Sequence, residues 1–313
     1  MPHLQLSSDP IDLDGDRRRL ARAAESGKVV RLRRGAYVPA ELWGSLSDTN
    51  RYLARIAAVT STRRAKPLYS HQTAAALWGL PTLRPWPLQI HVTVSPNIAT
   101  RSKGDIIRHS AVIPEEDVVD MGAYFITSRA RTVLDLAAEL TFIEAVVVAD
   151  RALLVDRFGK REPMMTRDEL ELAWSRAQSL RSSTRTRAVL AFAVTQAESP
   201  LESVSRVNLR AAGFPRPRLQ VAHYDREGFI GASDFYWDEF GLIGEADGDS
   251  KYLQPKLRNG RSAEQVVLDE KIREDRLRAI PRVVSRWRWK TGISMPLLRQ
   301  HLKQVGLPTG QKW

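Results

Sequence analysis

The chain alternates between stretches of helical and of strand-like hydrophobic spacing. Residues 17–26 (RRRLARAAES) are helix formers behind the acidic entry Asp14 and Asp16, and Gly27 stands where a helix C-cap belongs. Val29, Val30 and Leu32, the Arg34-Gly35 turn, then Ala36, Tyr37 and Val38 predict two short strands about a tight turn. Leu53, Ile56, Ala57 and Thr60 give residues 48–62 an apolar stripe with which to pack on that hairpin. From Lys66, YSHQTAAALWGL predicts a helix ended by Gly79. LQIHVTV (88–94) alternates as a half-buried strand, with DIIRHSAV (105–112) as its partner.

Helices continue the middle of the chain. SRARTVLDLAAEL and FIEAVVVADRALLV are amphipathic, with Ser128 and Thr141 as N-caps. Thr166 followed by Glu169 is a capping box, and RSSTRTRAVLAFAV runs helically to a break at Ser199 and Pro200. After Pro200 the pattern reads α-β-β-β-α-β: a helix with Leu201, Val204, Val207 and Ala211 on one face and Gly213 as its C-cap, strands RLQVAHYD, GFIGASDFYWDE and LIGEAD, a helix over 262–280, and strand RVVSRWRW. A long helix returning to a strand predicts a parallel pair within a mixed sheet. Trp78, Trp86 and Trp237 read as core fillers, and Trp287 and Trp289 as neighbours on one strand face.

Composition narrows the function classes. A length of 313 residues predicts two or three domains, with 43% hydrophobic and 27% charged residues as in a globular protein. The 48 Lys and Arg against 36 Asp and Glu give a formal charge of +12, a field that attracts polyanions, so double-stranded DNA leads the candidate partners. The absence of cysteine excludes disulfides, thiolate catalysis and cysteine-bound metals. The polar start is no signal peptide, and the best apolar run is broken by Glu144, Asp150 and Arg151, so a cytoplasmic protein without a membrane span is expected.

Eight basic residues, Arg17, Arg18, Arg19, Arg22, Lys28, Arg31, Arg33 and Arg34, crowd the first helix and hairpin, a recognition-helix-and-wing arrangement suited to phosphate contact. One clear helix precedes the wing, where two more are usual. A two-fold DNA site would favour a homodimer. Ser70 and His71 with Arg129 or Arg131 are a possible cleft, whereas His91 and His109 read as isolated, and the six histidines show no metal-ligand spacing.

The stretch SDFYWDEFGLIGEADGDSKY (233–252) holds six acids in twenty positions. Alternation places Glu245 and Asp247 on one strand face with Ala246 on the other, and the short turn brings Asp234 to the same sheet end. Carboxylates so placed suit Mg²⁺, which takes one or two of them plus waters and phosphate oxygens and can activate water against a phosphodiester. Glu202, in the first turn of the preceding helix, can join them, and Lys251, Lys271 and Arg273 offer positive charge.

These residues resemble the restriction-endonuclease-like PD-(D/E)xK superfamily, and more closely its very-short-patch-repair-like domains, over roughly Pro200 to Lys290. The resemblance implies Asp234 and Glu245 as the two acids, with Asp247 where lysine is usual; without that lysine the site relies on a second metal or on Lys251, or is catalytically silent. Further upstream, GKVVRLRRGAYV, YSHQTAAALWGLP, IHVTV, ITSRARTVLDLA and AVVVADRALL are similar in order and spacing to the AbiEi-like antitoxin and transcriptional-regulator family, notably its actinobacterial members. That resemblance implies an α+β, mixed α/β chain: a winged-helix-like DNA-binding unit (1–64), an AbiEi-like α/β domain (65–158), a helical linker (159–199), a restriction-endonuclease-like domain with a mixed sheet (200–295) and a C-terminal tail (296–313). It implies a DNA-binding repressor that counters a nucleotidyltransferase-like toxin. The alternatives are an active Mg²⁺-dependent endonuclease using Asp234, Glu245 and Asp247, and a toxin-neutralising protein-interaction module.

Overall fold

The computed structural model describes residues 5–6, 13–97, 102, 104–157, 159, 162–177, 183–247, 276 and 282–313, and the side chains from residue 19 onward within that set except that of residue 183. Strand β1 (Gln5–Leu6) pairs antiparallel with β3 (Ala36–Pro39), whose other edge holds β2 (Val29–Arg33). Helix α1 (Leu13–Glu25) enters this sheet through Gly27, whose φ of 72° lies in the left-handed region that a side chain disfavours. After α2 (Ala40–Ser45) comes α3 (Asp48–Thr62), whose N-cap Ser47 accepts from the Asn50 N–H.

The apolar stripe of α3 reaches beyond the hairpin. Tyr52, Ile56 and Val59 share one core with Ile90, Val92, Ile106 and Ile126 of a five-stranded sheet. That sheet has the order β6-β5-β4-β8-β7, formed by β4 (Leu68–Tyr69), β5 (Ile90–Val94), β6 (Ile106–Ser110), β7 (Val118–Asp120) and β8 (Phe125–Thr127). The expected β5 and β6 partners are parallel, in register His91 to Ile107 and Thr93 to His109. Strands β4, β7 and β8 have only two or three residues, too few for a period to show in the sequence. Helix α4 (His71–Trp78) packs on α5 (Arg129–Glu139).

The two helices after α5 part company. Helix α6 (Phe142–Leu153) packs on α9 (Pro200–Ala211), and α7 (Arg167–Arg176) packs on α5. Helix α8 (Ser183–Phe192) ends before the break expected at Ser199, because Val194 gives its N–H to the Asp150 side chain. The described residues thus form two compact units, one from within 1–140 and 164–188, the other from within 141–163 and 189–313.

In the second unit, β9 (Arg218–Asp225), β10 (Gly228–Trp237), β11 (Leu242–Asp247) and β12 (Val283–Arg288) form a sheet of order β12-β11-β10-β9. The β11 and β12 pair is parallel, as the sequence predicts, and the others are antiparallel. The helix expected over 262–280 lies outside the described residues, apart from the helical Arg276. One sheet face sends Phe235, Trp237, Leu242, Ala246 and Trp287 against Leu201 and Leu209 of α9. Trp289 does not continue the β12 face. The strand ends at Arg288, and Trp289 opens the short helix α10 (Trp289–Gly292) with its side chain 37% exposed.

Residues 296–313 belong to this same core. Helix α11 (Met295–Gln304) buries Leu298 and Leu302, each contributing roughly 1.5–3 kcal/mol. Trp313 donates its indole N–H to the Phe214 carbonyl at 2.6 Å. The molecule is therefore α+β with mixed sheets, and no described helix is long and apolar enough to cross a membrane.

Candidate functional site

Three groupings of chemically able side chains stand out. The first is basic. Arg19, Arg22, Lys28, Arg31 and Arg34 are exposed on α1 and the β2–β3 hairpin. Arg33 is half-buried, 3.6 Å from Asp105. Arg17 and Arg18 lie in α1, with side chains outside the described residues. Near the hairpin's supporting helix, Trp43, Tyr52, Trp86, Arg51 and Arg55 line a cleft of about 270 Å³. Tyr52 and Trp86 stack at 5.3 Å, while Arg51 and Arg55 lie over the Trp43 ring.

The second grouping is acidic. The β10–β11 ladder runs from Trp237↔Leu242 to Phe235↔Gly244 and is not continued at Asp234. There the Asp234 Oδ2 accepts from the Ala246 N–H at 2.8 Å, a side chain standing in for a strand partner. Gln220, held at a φ of 49°, donates its amide to both Glu202 (3.1 Å) and Asp234 (3.3 Å). The same Gln220 accepts from Arg157 at 2.9 Å. The expected approach of Glu202 to Asp234 is thus made through a shared amide. Glu245 is buried on the neighbouring strand, and Asp247 lies 3.3 Å from Arg286 of β12. No three of Glu202, Asp234, Glu245 and Asp247 bring carboxylate oxygens within 4.8 Å of one another. Lys251, Lys271 and Arg273 lie outside the described residues.

The third grouping corrects the reading of the histidines. His91 and His109 are not isolated: the parallel pairing of β5 with β6 puts them on one sheet face, with His91 Nδ1 2.9 Å from His109 Nε2. His71, the first residue of α4, stacks on His109 with ring centroids 3.5 Å apart and 13° between the planes. Its Nδ1 is 2.9 Å from Ser70 Oγ, and its Nε2 is 3.6 Å from Glu139 Oε2 at the end of α5. The ligand atoms of His71, His109 and Glu139 all lie within 4.8 Å of one another, the one such group of three or more among the described residues.

Burial governs the charge here. It lowers His71 well below the usual imidazole range, helped by His109, His91 and Arg131, takes His91 down to about 4, again helped by His109, and lowers His109. It also raises Glu139, against a hydrogen bond from Gln72. The cleft expected from Ser70, His71 and Arg129 or Arg131 is made only in part. Arg131 is buried in an ion pair with Asp135 at 2.7 Å, and Arg129 lies over Trp78 and donates to the Met164 carbonyl. Burial pushes Asp135 up to about 6 against the pull of Arg131. A histidine at the same parity on each of two pairing strands was the available signal for the cluster; Glu139 and Gln220 carried none.

Fold and sites together define a two-unit α+β protein with a basic helix and hairpin in one unit and an acid-bearing mixed sheet in the other. No family model matches the chain. It is similar to two uncharacterized proteins of Mycobacterium tuberculosis, MT2308 of strain CDC 1551 and Rv2248 of strain H37Rv, each 27% identical over 270 residues that cover 82% of this chain and 92% of the relative. Among solved structures it is similar to the Rv2827c protein of Mycobacterium tuberculosis, with a TM-score of 0.35 and 14% identity, over 72% of this chain and 85% of that one.

Proposed function

We propose that the protein is a DNA-binding regulator of the AbiEi antitoxin type, contacting duplex phosphates through α1 and the β2–β3 hairpin. The observation that carries this reading is exposure: of the six described basic residues from Arg19 to Arg34, five are exposed and Arg33 is half-buried, 3.6 Å from Asp105. The overall charge of +12 adds long-range attraction. In this reading the nuclease-like sheet serves binding, and the protein partner is a nucleotidyltransferase-like toxin, to be sought by copurification with the product of a neighbouring gene.

Each phosphate neutralised contributes about 0.9 to the slope of log affinity against log salt. Replacing Lys28, Arg31 and Arg34 together by Ala should therefore lower the slope by about 2.7, whereas Arg33→Ala, which removes a partner of Asp105, should leave it nearly unchanged. Fluorescence anisotropy with duplex DNA across a salt series reads both. A wild-type slope in the triple variant would count against this surface.

A second reading, a metal-dependent endonuclease, is favoured by one observation: the β10–β11 ladder stops beside two buried acids, Asp234 and Glu245. Two carboxylates suffice for Mg²⁺, so the donor chemistry fits, and the ion when bound would activate water and offset phosphate charge. Asp234 and Glu245 would hold it, while Arg286 offsets the charge of Asp247. Incubation of supercoiled plasmid with Mg²⁺ or Mn²⁺ is expected to leave it intact. Nicking that disappears in Glu245→Ala would establish the second reading.

A further inference from the structure

We propose that Arg288, Trp289 and Lys290, at the end of β12 and the start of α10, form a binding site for a single nucleic-acid strand, with Trp289 as the surface on which an unpaired base stacks. The site lies in the second unit and goes beyond the duplex contact of α1 and the β2–β3 hairpin.

The charge of this stretch is one-sided. Residues 282–313 hold seven Lys and Arg and no Asp or Glu. Two of the seven are already engaged: Arg286 lies 3.3 Å from Asp247, and Arg282 donates to His223 and lies over the Tyr236 ring. Arg288, Lys290, Arg299 and Lys303 are exposed and make no ion pair among the described residues. Their field is open to an anion, and a strand with a phosphate on every nucleotide answers several cations spaced along a surface.

The ring between the cations supplies the rest of the chemistry. Trp287 is 2% exposed in the core, whereas Trp289 is 37% exposed, and among the described residues no ring or cation packs against it. The strand ends at Arg288, which is why Trp289 leaves the core face. Cations flanking an open aromatic face hold single strands without regard to sequence, because every base has a π-face to stack. Paired bases are already stacked on their neighbours, so the ring favours an unpaired strand.

Position agrees with a phosphate chain. Arg288 stands in register with Asp247, and strand parity puts it on the same sheet face as Arg286, Glu245 and Asp247. A strand drawn to Arg288 therefore passes the acid-bearing end of the sheet. An anionic membrane would also attract these cations, but a helix lying in a membrane surface needs its apolar face free. Helix α11 uses Leu298 and Leu302 in the core, where both are fully buried.

The test measures the anisotropy of a labelled oligothymidylate of about 15 nucleotides, its RNA counterpart and a duplex of equal length. Full-length protein carrying Lys28→Ala, Arg31→Ala and Arg34→Ala is the background, which removes the hairpin contact. A wild-type duplex slope in that background counts against the duplex reading and leaves this site untouched. Within it, Trp289→Ala should weaken single-strand binding by about 10-fold and change duplex binding by less than about 2-fold, while Trp289→Phe, which keeps a ring, should retain most of the affinity. Arg288→Ala with Lys290→Ala should lower the salt slope on the single strand by about 1.4. Trp289-dependent binding of either strand supports the proposal, and the tighter of the two identifies its source. Three results overturn it: no single-strand binding in this background, an equal effect of Trp289→Ala on strand and duplex, or binding to phosphatidylserine vesicles alone, toward which the exposed Ile293, Met295 and Leu297 would turn. Circular dichroism checks that each variant folds.

Discussion

Replacing Asp150 by Ala should destabilise the second unit by about 3–5 kcal/mol, the usual penalty for leaving a buried charge without its partner. Asp150 is fully buried and Arg206 is 3% exposed, with 2.7 Å between Oδ2 and the guanidinium. Asp150 also accepts from the Val194 N–H, and Arg206 donates to the Phe192 carbonyl while lying 4.5 Å from that ring's centroid. Burial raises the Asp150 carboxyl and lowers the Arg206 guanidinium, so each ion depends on the other. The double variant Asp150→Leu with Arg206→Met removes both charges and should lose less than Asp150→Ala alone. Urea denaturation of the single and double variants measures the coupling, and a single variant within about 1 kcal/mol of wild type would show that the pair is not needed.

Trp287→Ala should cost a further order of the same size, about 3–5 kcal/mol. The ring is 2% exposed, 5.3 Å from the Phe235 ring, and donates its N–H to Ser205 Oγ at 2.8 Å. It fills space that two glycines keep open. A Cβ on Gly244 would stand 2.8 Å from its Cη2, and one on Gly292 would stand 3.0 Å from its Cδ1 and 2.5 Å from Leu201 Cδ1. Gly244 adjoins Glu245, so losing the indole should also loosen the strand that carries one of the two buried acids. A thermal shift of several degrees, larger than that of Trp289→Ala at its half-exposed position, is the expected readout.

Much of the local fold was legible. Gly27 and Gly79 end helices as read, Ser128 and Thr166 cap them, and the β11–β12 pair is parallel. The Trp289 reading failed because alternation continues on paper after a strand has ended. The acids were legible as a face: Ala246 is in the core while Glu245 follows the opposite parity. Gln220, which ties Glu202 to Asp234, was not, since an amide in a strand has no spacing that marks it.

Charge, capping and hydrophobic period are properties of neighbouring residues, and by themselves they determined most of the described longer helices, the longer strands, the basic hairpin and the mixed class of the four-stranded sheet, but not the helix at Met295–Gln304, which lies in a stretch read as a tail. Only the tertiary structure decided that α6 is held to α9 by residues 56 positions apart, and that His71, His91, His109 and Glu139 meet from four separate elements. Such meetings depend on strand register and on which faces pack together. Both are settled by burial summed over a whole unit, so no short stretch of the chain carries them.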